Sequence, residues 1–278
     1  MAVESLVRRR LTPWALLLLT TQALVLTTGC TPSAPAAVQQ GTAVVIFIDF
    51  SQSIAGDDRA SFRREIESQI LSSLSAGDRL LIAPIHDRTL TDFRPLLEVI
   101  LPAKPGFNGF LDNVLKYNRQ AKEIEAQVRQ LKEKTKADVA QVFAQRFSSL
   151  QTDIFSSLLV AQKLFHDESR RKVLVLMSDM IEDSPQYNFE RISWSSATIE
   201  RTLSELDAKG LIPKLPGVCL YVSGASAKSA ALAENIGRFW QAYFRRTGAD
   251  VDPSRYAHVL LHWPPANSCR PTGAPRVI

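Results

Sequence analysis

Asp49-Phe50-Ser51-Gln52-Ser53 places a carboxylate and two hydroxyls within five residues. Carboxylate and hydroxyl oxygens are hard ligands, which favour Mg²⁺, Mn²⁺ or Ca²⁺ and disfavour zinc or copper. The plainer reading is that both serines cap a following helix and that Asp49 is an ordinary loop carboxylate. Position raises the motif above that. It follows Ala43 to Ile48, a continuously apolar, β-branched run of the kind that forms a strand buried on both faces, and it precedes an amphipathic stretch. Other chemistry is thinner. His258 and His262 share one side of a predicted strand but lack a third ligand, so they read as packing or surface residues. Ser223-Gly224-Ala225-Ser226 could hold an anion on backbone amides, although a small-residue turn and cap is the plainer reading. The chain has no G-x-S-x-G elbow, no P-loop and no G-x-G-x-x-G, so hydrolase and nucleotide-binding readings lack their parts.

These residues need a frame. After the first strand, Phe62, Ile66, Ile70 and Leu74 recur at helical spacing, and Gly77 lies just beyond the end. Arg79 to Ile85 reads as a second strand and Thr91 to Leu101 as a third, joined by a connection too short for a helical crossover, so the third should pair antiparallel at an edge. Further on come strands over Lys172 to Met177 and Gly217 to Val222, helices over Ile154 to Phe165, Ser195 to Lys209 and Ser226 to Arg246, and a last strand over Tyr256 to Trp263. Strands alternating with helices predict an α/β fold: a doubly wound, mostly parallel sheet with helices on both faces. Ligands in such sheets bind beyond the carboxyl ends of the strands, which is where Asp49 stands.

One segment breaks the alternation. Phe110 to Leu150 contains no Gly or Pro, and Phe110, Val114, Tyr117, Ala121, Ile124, Val128, Leu131 and Val142 follow a 4-3 spacing. Thr135 and Asp138 fall on the same stripe, leaving the seam weak in the middle. A single helix over this stretch would be about 60 Å long. A break near Lys134-Thr135-Lys136 would make a hairpin instead. The segment is either a protruding arm, which could self-associate through residues 110–148, or a helix packed back along the domain with a solvated charged face.

The constellation resembles the metal-ion-dependent adhesion site of von Willebrand factor A domains. Asp49, Ser51 and Ser53 match that family's first loop, Thr152 in Gln151-Thr152-Asp153-Ile154 matches the second, and Asp179, after Val173-Leu174-Val175-Leu176-Met177-Ser178, matches the third. Met180 stands where the family usually has Gly, and no Gly precedes Thr152. The resemblance covers residues 42–266, with a helical insertion over 107–150. It implies a Rossmann-like fold and Mg²⁺, or Mn²⁺ or Ca²⁺, held by Ser51 and Ser53 directly, by Thr152 directly or through water, and by Asp49 and Asp179 mostly through water. An open position on the ion would then attract an acidic side chain of a protein partner.

The ends of the chain bear on where this happens. Arg8-Arg9-Arg10 precedes an apolar run from Trp14 to Leu26, too short for a comfortable bilayer span, and Leu26-Thr27-Thr28-Gly29-Cys30 resembles a lipobox. Residues 1–29 therefore read as a lipoprotein signal peptide, Cys30 as the lipidated residue, residues 30–41 as a flexible tether and 267–278 as a tail. Thr31, rather than Asp, after the cysteine predicts an outer-membrane location facing the periplasm in an organism with two membranes, and otherwise the cell surface. The whole chain carries +5. Removing residues 1–29 takes away three arginines and Glu4 and leaves +3, which is no nucleic-acid footprint. Cys219 and Cys269 could pair in an exported protein, although a free, buried Cys219 is the more ordinary state. The sequence thus predicts a membrane-anchored, metal-dependent protein-binding module with no enzyme activity. The alternative is an envelope scaffold that binds through the long helix with a structural metal site, and a metal-dependent hydrolase is a more distant third.

Overall fold

The computed structural model describes residues 41–87, 89–107, 113–145, 149 and 151–265. Residues 38–278 form one compact unit that contains every strand and both cores, so it carries what it needs to fold by itself. The expected signal peptide, Cys30, most of the tether and the tail lie outside the described residues.

Six strands, β1 (Thr42–Asp49), β2 (Arg79–Ile85), β3 (Leu97–Ile100), β4 (Arg171–Met177), β5 (Val218–Ser223) and β6 (Asp250–Tyr256), form one sheet in the order β3-β2-β1-β4-β5-β6. All neighbours are parallel except β2 and β3, where Arg79 opposes Ile100. The α/β class and the antiparallel edge strand are as the sequence predicts. β1 lies at the centre and alternates cleanly, with Val45 and Phe47 facing one core while Val44, Ile46 and Ile48 face the other. The first core is covered by α4 (Ile154–Phe165), α5 (Ser196–Ala208) and α6 (Ala230–Thr247). The second is covered by α1 (Gly56–Glu65), its π-helical continuation Ile66–Ile70 ending in α2 (Leu71–Ser73), and part of α3 (Val114–Ala144).

Four expectations change: the third strand is only Leu97–Ile100 and not Thr91 to Leu101. The last strand is Asp250–Tyr256, not Tyr256 to Trp263. As an edge strand it can carry Pro253 and its charged residues without an apolar run. The apolar residues beyond it serve differently: the buried Leu260 donates its N–H to Glu65 Oε1 at 3.0 Å, and Trp263 packs on Tyr221. His258 and His262 therefore sit in a loop rather than on one strand face. The last helix begins at Ala230, capped by Ser229, because the N–H groups of Gly224, Ala225 and Ser226 are already spent on the carbonyls of His258, Ala257 and Asp179. That use also removes the anion nest considered for this loop. Finally, Cys219 is buried and disulfide-bonded rather than free; Cys30 and Cys269 lie outside the described residues.

The long segment is one unbroken helix, α3, 31 residues and about 46 Å long, started by Asn113, whose side chain accepts from the N–H of Leu115 and Lys116. Lys134-Thr135-Lys136 causes no break. Val128, Thr135, Val139 and Val142 are buried against the domain, and the Thr135 hydroxyl is satisfied by the Leu131 carbonyl at 2.7 Å. The amino-terminal end of the expected seam is not covered in the same way: Val114 is exposed.

Candidate metal centre

Three loops meet at the carboxyl ends of β1 and β4. Asp49 closes β1 and is fully buried; its Oδ1 accepts from the Ser51 N–H at 2.8 Å and its Oδ2 from the Ser178 hydroxyl at 2.9 Å. Those two bonds curl the chain so that the Ser51 and Ser53 hydroxyls approach to 2.8 Å. Arg59 on α1 holds the loop from below, donating to the carbonyls of Phe50 at 3.0 Å and Ser51 at 2.8 Å.

The second and third loops are joined by backbone. Thr152 and Asp183 exchange N–H to carbonyl bonds of 2.9 and 3.0 Å, and Asp153 caps α4 by accepting from the Ser156 N–H. Glu182 lies buried beneath them with Oε2 on the Ile154 N–H at 2.8 Å. Burial, with the Asp153 charge behind it, raises the Glu182 carboxyl well above its ordinary range. Asp179 stands two residues beyond the end of β4, and its Oδ1 accepts from the Ile181 N–H at 2.9 Å. Met180 takes a left-handed conformation, φ +66°, in the place where the resembled family has Gly. Complete burial of its side chain and a 2.8 Å bond from the Trp240 indole to its carbonyl hold it there. Gly224, at φ +99°, lies so close to Phe62 and the Ser178 carbonyl that a Cβ would stand 2.6 Å from the ring and 2.9 Å from the oxygen, so this approach behind the site requires glycine.

Ser51, Ser53, Thr152 and Asp179 line one cleft of about 450 Å³, with Asp183, Asn188, Glu190 and Lys228 on its rim. Asp49 does not line it but lies underneath. Glu190 pairs with Lys228 at 2.9 Å. Burial raises Asp49, and burial together with the Asp49 charge pushes Asp179 up to about 6. Two buried carboxylates that repel one another, beside converging hydroxyls, are a donor set that a hard divalent cation would neutralise. Among the described residues no three His, Cys, Asp or Glu cluster for a metal, since the set holds two carboxylates and its other donors are hydroxyls. Asp49, Ser51 and Ser53 stand out in the sequence by their position after a buried strand and before a helix, not by residue type alone. Ser178, Arg59 and Glu182 were missed, although Ser178 adjoins Asp179; nothing local marks an arginine ten residues on or a glutamate under another loop.

Acidification should weaken cation binding here. If the cleft holds a divalent cation, protons would compete with it for Asp179, and calorimetric Mg²⁺ affinity should fall by about tenfold between pH 7.5 and pH 5, as the pH passes through about 6. Linkage gives the metal-free domain the opposite trend. Between the ordinary carboxylate value and about 6 the folded state binds more protons at Asp179 than the unfolded chain, so this group's contribution to stability rises as pH falls through that window. An affinity independent of pH over this range would remove Asp179 from the ion's surroundings.

No protein-family model matches the chain, and no curated protein matches it. Among solved structures it is similar to proximal thread matrix protein 1 from the mussel byssus (10% identity, TM-score 0.37, covering 79% of this chain and 44% of that one). It is also similar to an aerotolerance-related membrane protein from Bacteroides fragilis (12% identity, TM-score 0.33, covering 66% and 67%) and to the manganese-loaded TRAP protein of Plasmodium vivax (12% identity, TM-score 0.35, covering 72% and 64%). The chain thus spans less than half of the mussel protein. Likenesses this distant assign no family.

Proposed function

We propose that this protein is a von Willebrand factor A-type binding module that holds Mg²⁺ or Mn²⁺, with Ca²⁺ as a further candidate, and through it engages the acidic side chain of a protein partner. The observation that carries the reading is the convergence of Ser51, Ser53, Thr152 and Asp179, from three separate loops, on one cleft above the buried Asp49. The hydroxyls would contact the ion, the carboxylates would balance its charge, and neutral first-shell oxygens would leave it electrophilic toward a partner's carboxylate. Binding rather than catalysis suits the cleft, whose titratable groups are carboxylates and a lysine already paired with Glu190. Cys30 would anchor the module to the cell envelope, in the outer membrane facing the periplasm where there are two membranes and otherwise at the cell surface. No described helix is long and apolar enough to cross a membrane.

Capture of partners from envelope extracts with and without a chelator tests the reading. Partners should be lost on chelation and regained with Mn²⁺ or Mg²⁺. Capture that ignores the chelator would transfer recognition to α3 and its surroundings.

A further inference from the structure

The amino-terminal third of α3, before Ile124, leaves the sheet behind. Lys132 Nζ donates to the carbonyls of Ser72 and Leu74 at 2.9 and 3.0 Å, just before β2 begins. Thr42, at the start of β1, donates its N–H to Asp78 Oδ1 at 2.6 Å, and the Asp78 carbonyl accepts from the Leu101 N–H at 2.8 Å. All of these contacts lie at the end of the sheet opposite the cleft. The helix stays packed through Val128 and the partly buried Ile124, and from Ile124 it continues 10 residues to Val114, about 15 Å at 1.5 Å per residue. Residues 101–107 run back along it, with Lys104 on Glu125 at 2.6 Å and the Phe107 and Tyr117 rings 4.7 Å apart.

The tip of this arm is apolar and basic. Phe107 is 45%, Val114 53% and Leu115 80% exposed. Lys104 and Arg119 are paired with Glu125 and Glu123, which leaves Lys116 and Lys122 against Asp112 along this stretch of the sequence. The cleft at the other end is rimmed by Asp179, Asp183 and Glu190. We propose that the arm's tip is a membrane contact, in which Phe107, Val114 and Leu115 enter the interface of an anionic lipid surface while Lys116 and Lys122 meet its headgroups.

The sense of direction rests on the lipid-anchor part of the proposed function. The chain enters β1 at Thr42, the same end from which the arm projects, and the residues from Cys30 to Gly41 span at most about 40 Å when extended. An anchored domain therefore keeps the ~15 Å arm within reach of the lipid, and the cleft lies at the opposite end of the sheet. The arm would act as a strut that presents the cleft to partners.

The test uses the compact unit 38–278, without the anchor, and vesicles of phosphatidylcholine with and without phosphatidylglycerol. It should co-sediment with the anionic vesicles, less with the neutral ones, and progressively less as salt is raised. Leu115→Asp should weaken that binding by about tenfold or more while leaving the circular dichroism unchanged, and Lys116→Glu with Lys122→Glu should remove the preference for anionic lipid. A chelator should change nothing, which separates failure here from failure of the metal reading; lipidation is tested apart, by whether Cys30→Ser abolishes incorporation of labelled fatty acid into the full chain. No sedimentation, sedimentation untouched by Leu115→Asp, or a dimer in sedimentation velocity that Leu115→Asp dissociates would each overturn the proposal, the last by making the tip a contact between copies of the chain.

Discussion

Asp49→Ala should abolish the heat of Mg²⁺ or Mn²⁺ binding in titration calorimetry and partner capture together, while helix and strand content stays near that of the wild type. The carboxylate lies below the cleft, and its oxygens shape the first loop by holding the Ser51 N–H and the Ser178 hydroxyl. Without it the Ser51 and Ser53 hydroxyls lose their template and the site loses half its negative charge. The strands themselves do not depend on it, since the other buried residues of β1 and those of β4 are apolar. An ion that binds only the folded state adds about 2.7 kcal/mol at a hundred times its Kd, and that increment should vanish in the variant. Leaving two donors unsatisfied costs about 1–3 kcal/mol more, so Asp49→Asn, similar in shape and able to accept through one oxygen, separates loss of charge from loss of shape. If Asp49→Asn keeps full metal affinity and partner capture, the proposed site is wrong.

Val139→Ala should lower the unfolding free energy by about 2 kcal/mol, whereas Leu115→Ala on the same helix should change it by less than about 0.5 kcal/mol. Val139 is fully buried in the core beneath the sheet, and Leu115 stands in solvent. Phe143, near the end of α3, packs on Phe50 with ring centroids 5.7 Å apart, and Ser149 pairs with Ser51, so the helix also buttresses the first loop of the site. Deleting residues 113–145 should therefore yield insoluble protein and not a folded domain that has merely lost an arm. Denaturant melts of the two point variants decide the matter. Equal destabilisation, or a soluble and cooperatively folding deletion, would contradict the division of α3 into a packed part and a projecting part.

Much of the frame was legible because burial writes itself into sequence. Strands covered on both faces must be apolar throughout, so Ala43 to Ile48 and Lys172 to Met177 stood out, and the short connection after Ile85 already implied an antiparallel neighbour. The edge strand Asp250–Tyr256 could not be seen in the same way, because a half-covered strand tolerates Asp, Pro and Arg. The helix α3 was readable as a helix but not as a packed or projecting one. Its stripe is similar in character on both sides of Ile124, and what lies against each part comes from residues far off in the chain, such as the carbonyls of Ser72 and Leu74 beneath Lys132.

By itself the sequence determined the α/β class, the place of the D-x-S-x-S loop after a buried strand, and the residue types that suit a hard cation, because each depends on neighbours within a few positions. Only the tertiary structure decided that Ser51, Ser53, Thr152 and Asp179 share a cleft, that Asp49 lies beneath it, that Met180 occupies a left-handed turn, and that α3 is part core and part arm. Those outcomes depend on which distant segments the sheet order brings together. Packing between them, rather than any local propensity, supplies the energy that holds a buried carboxylate or a strained backbone in place.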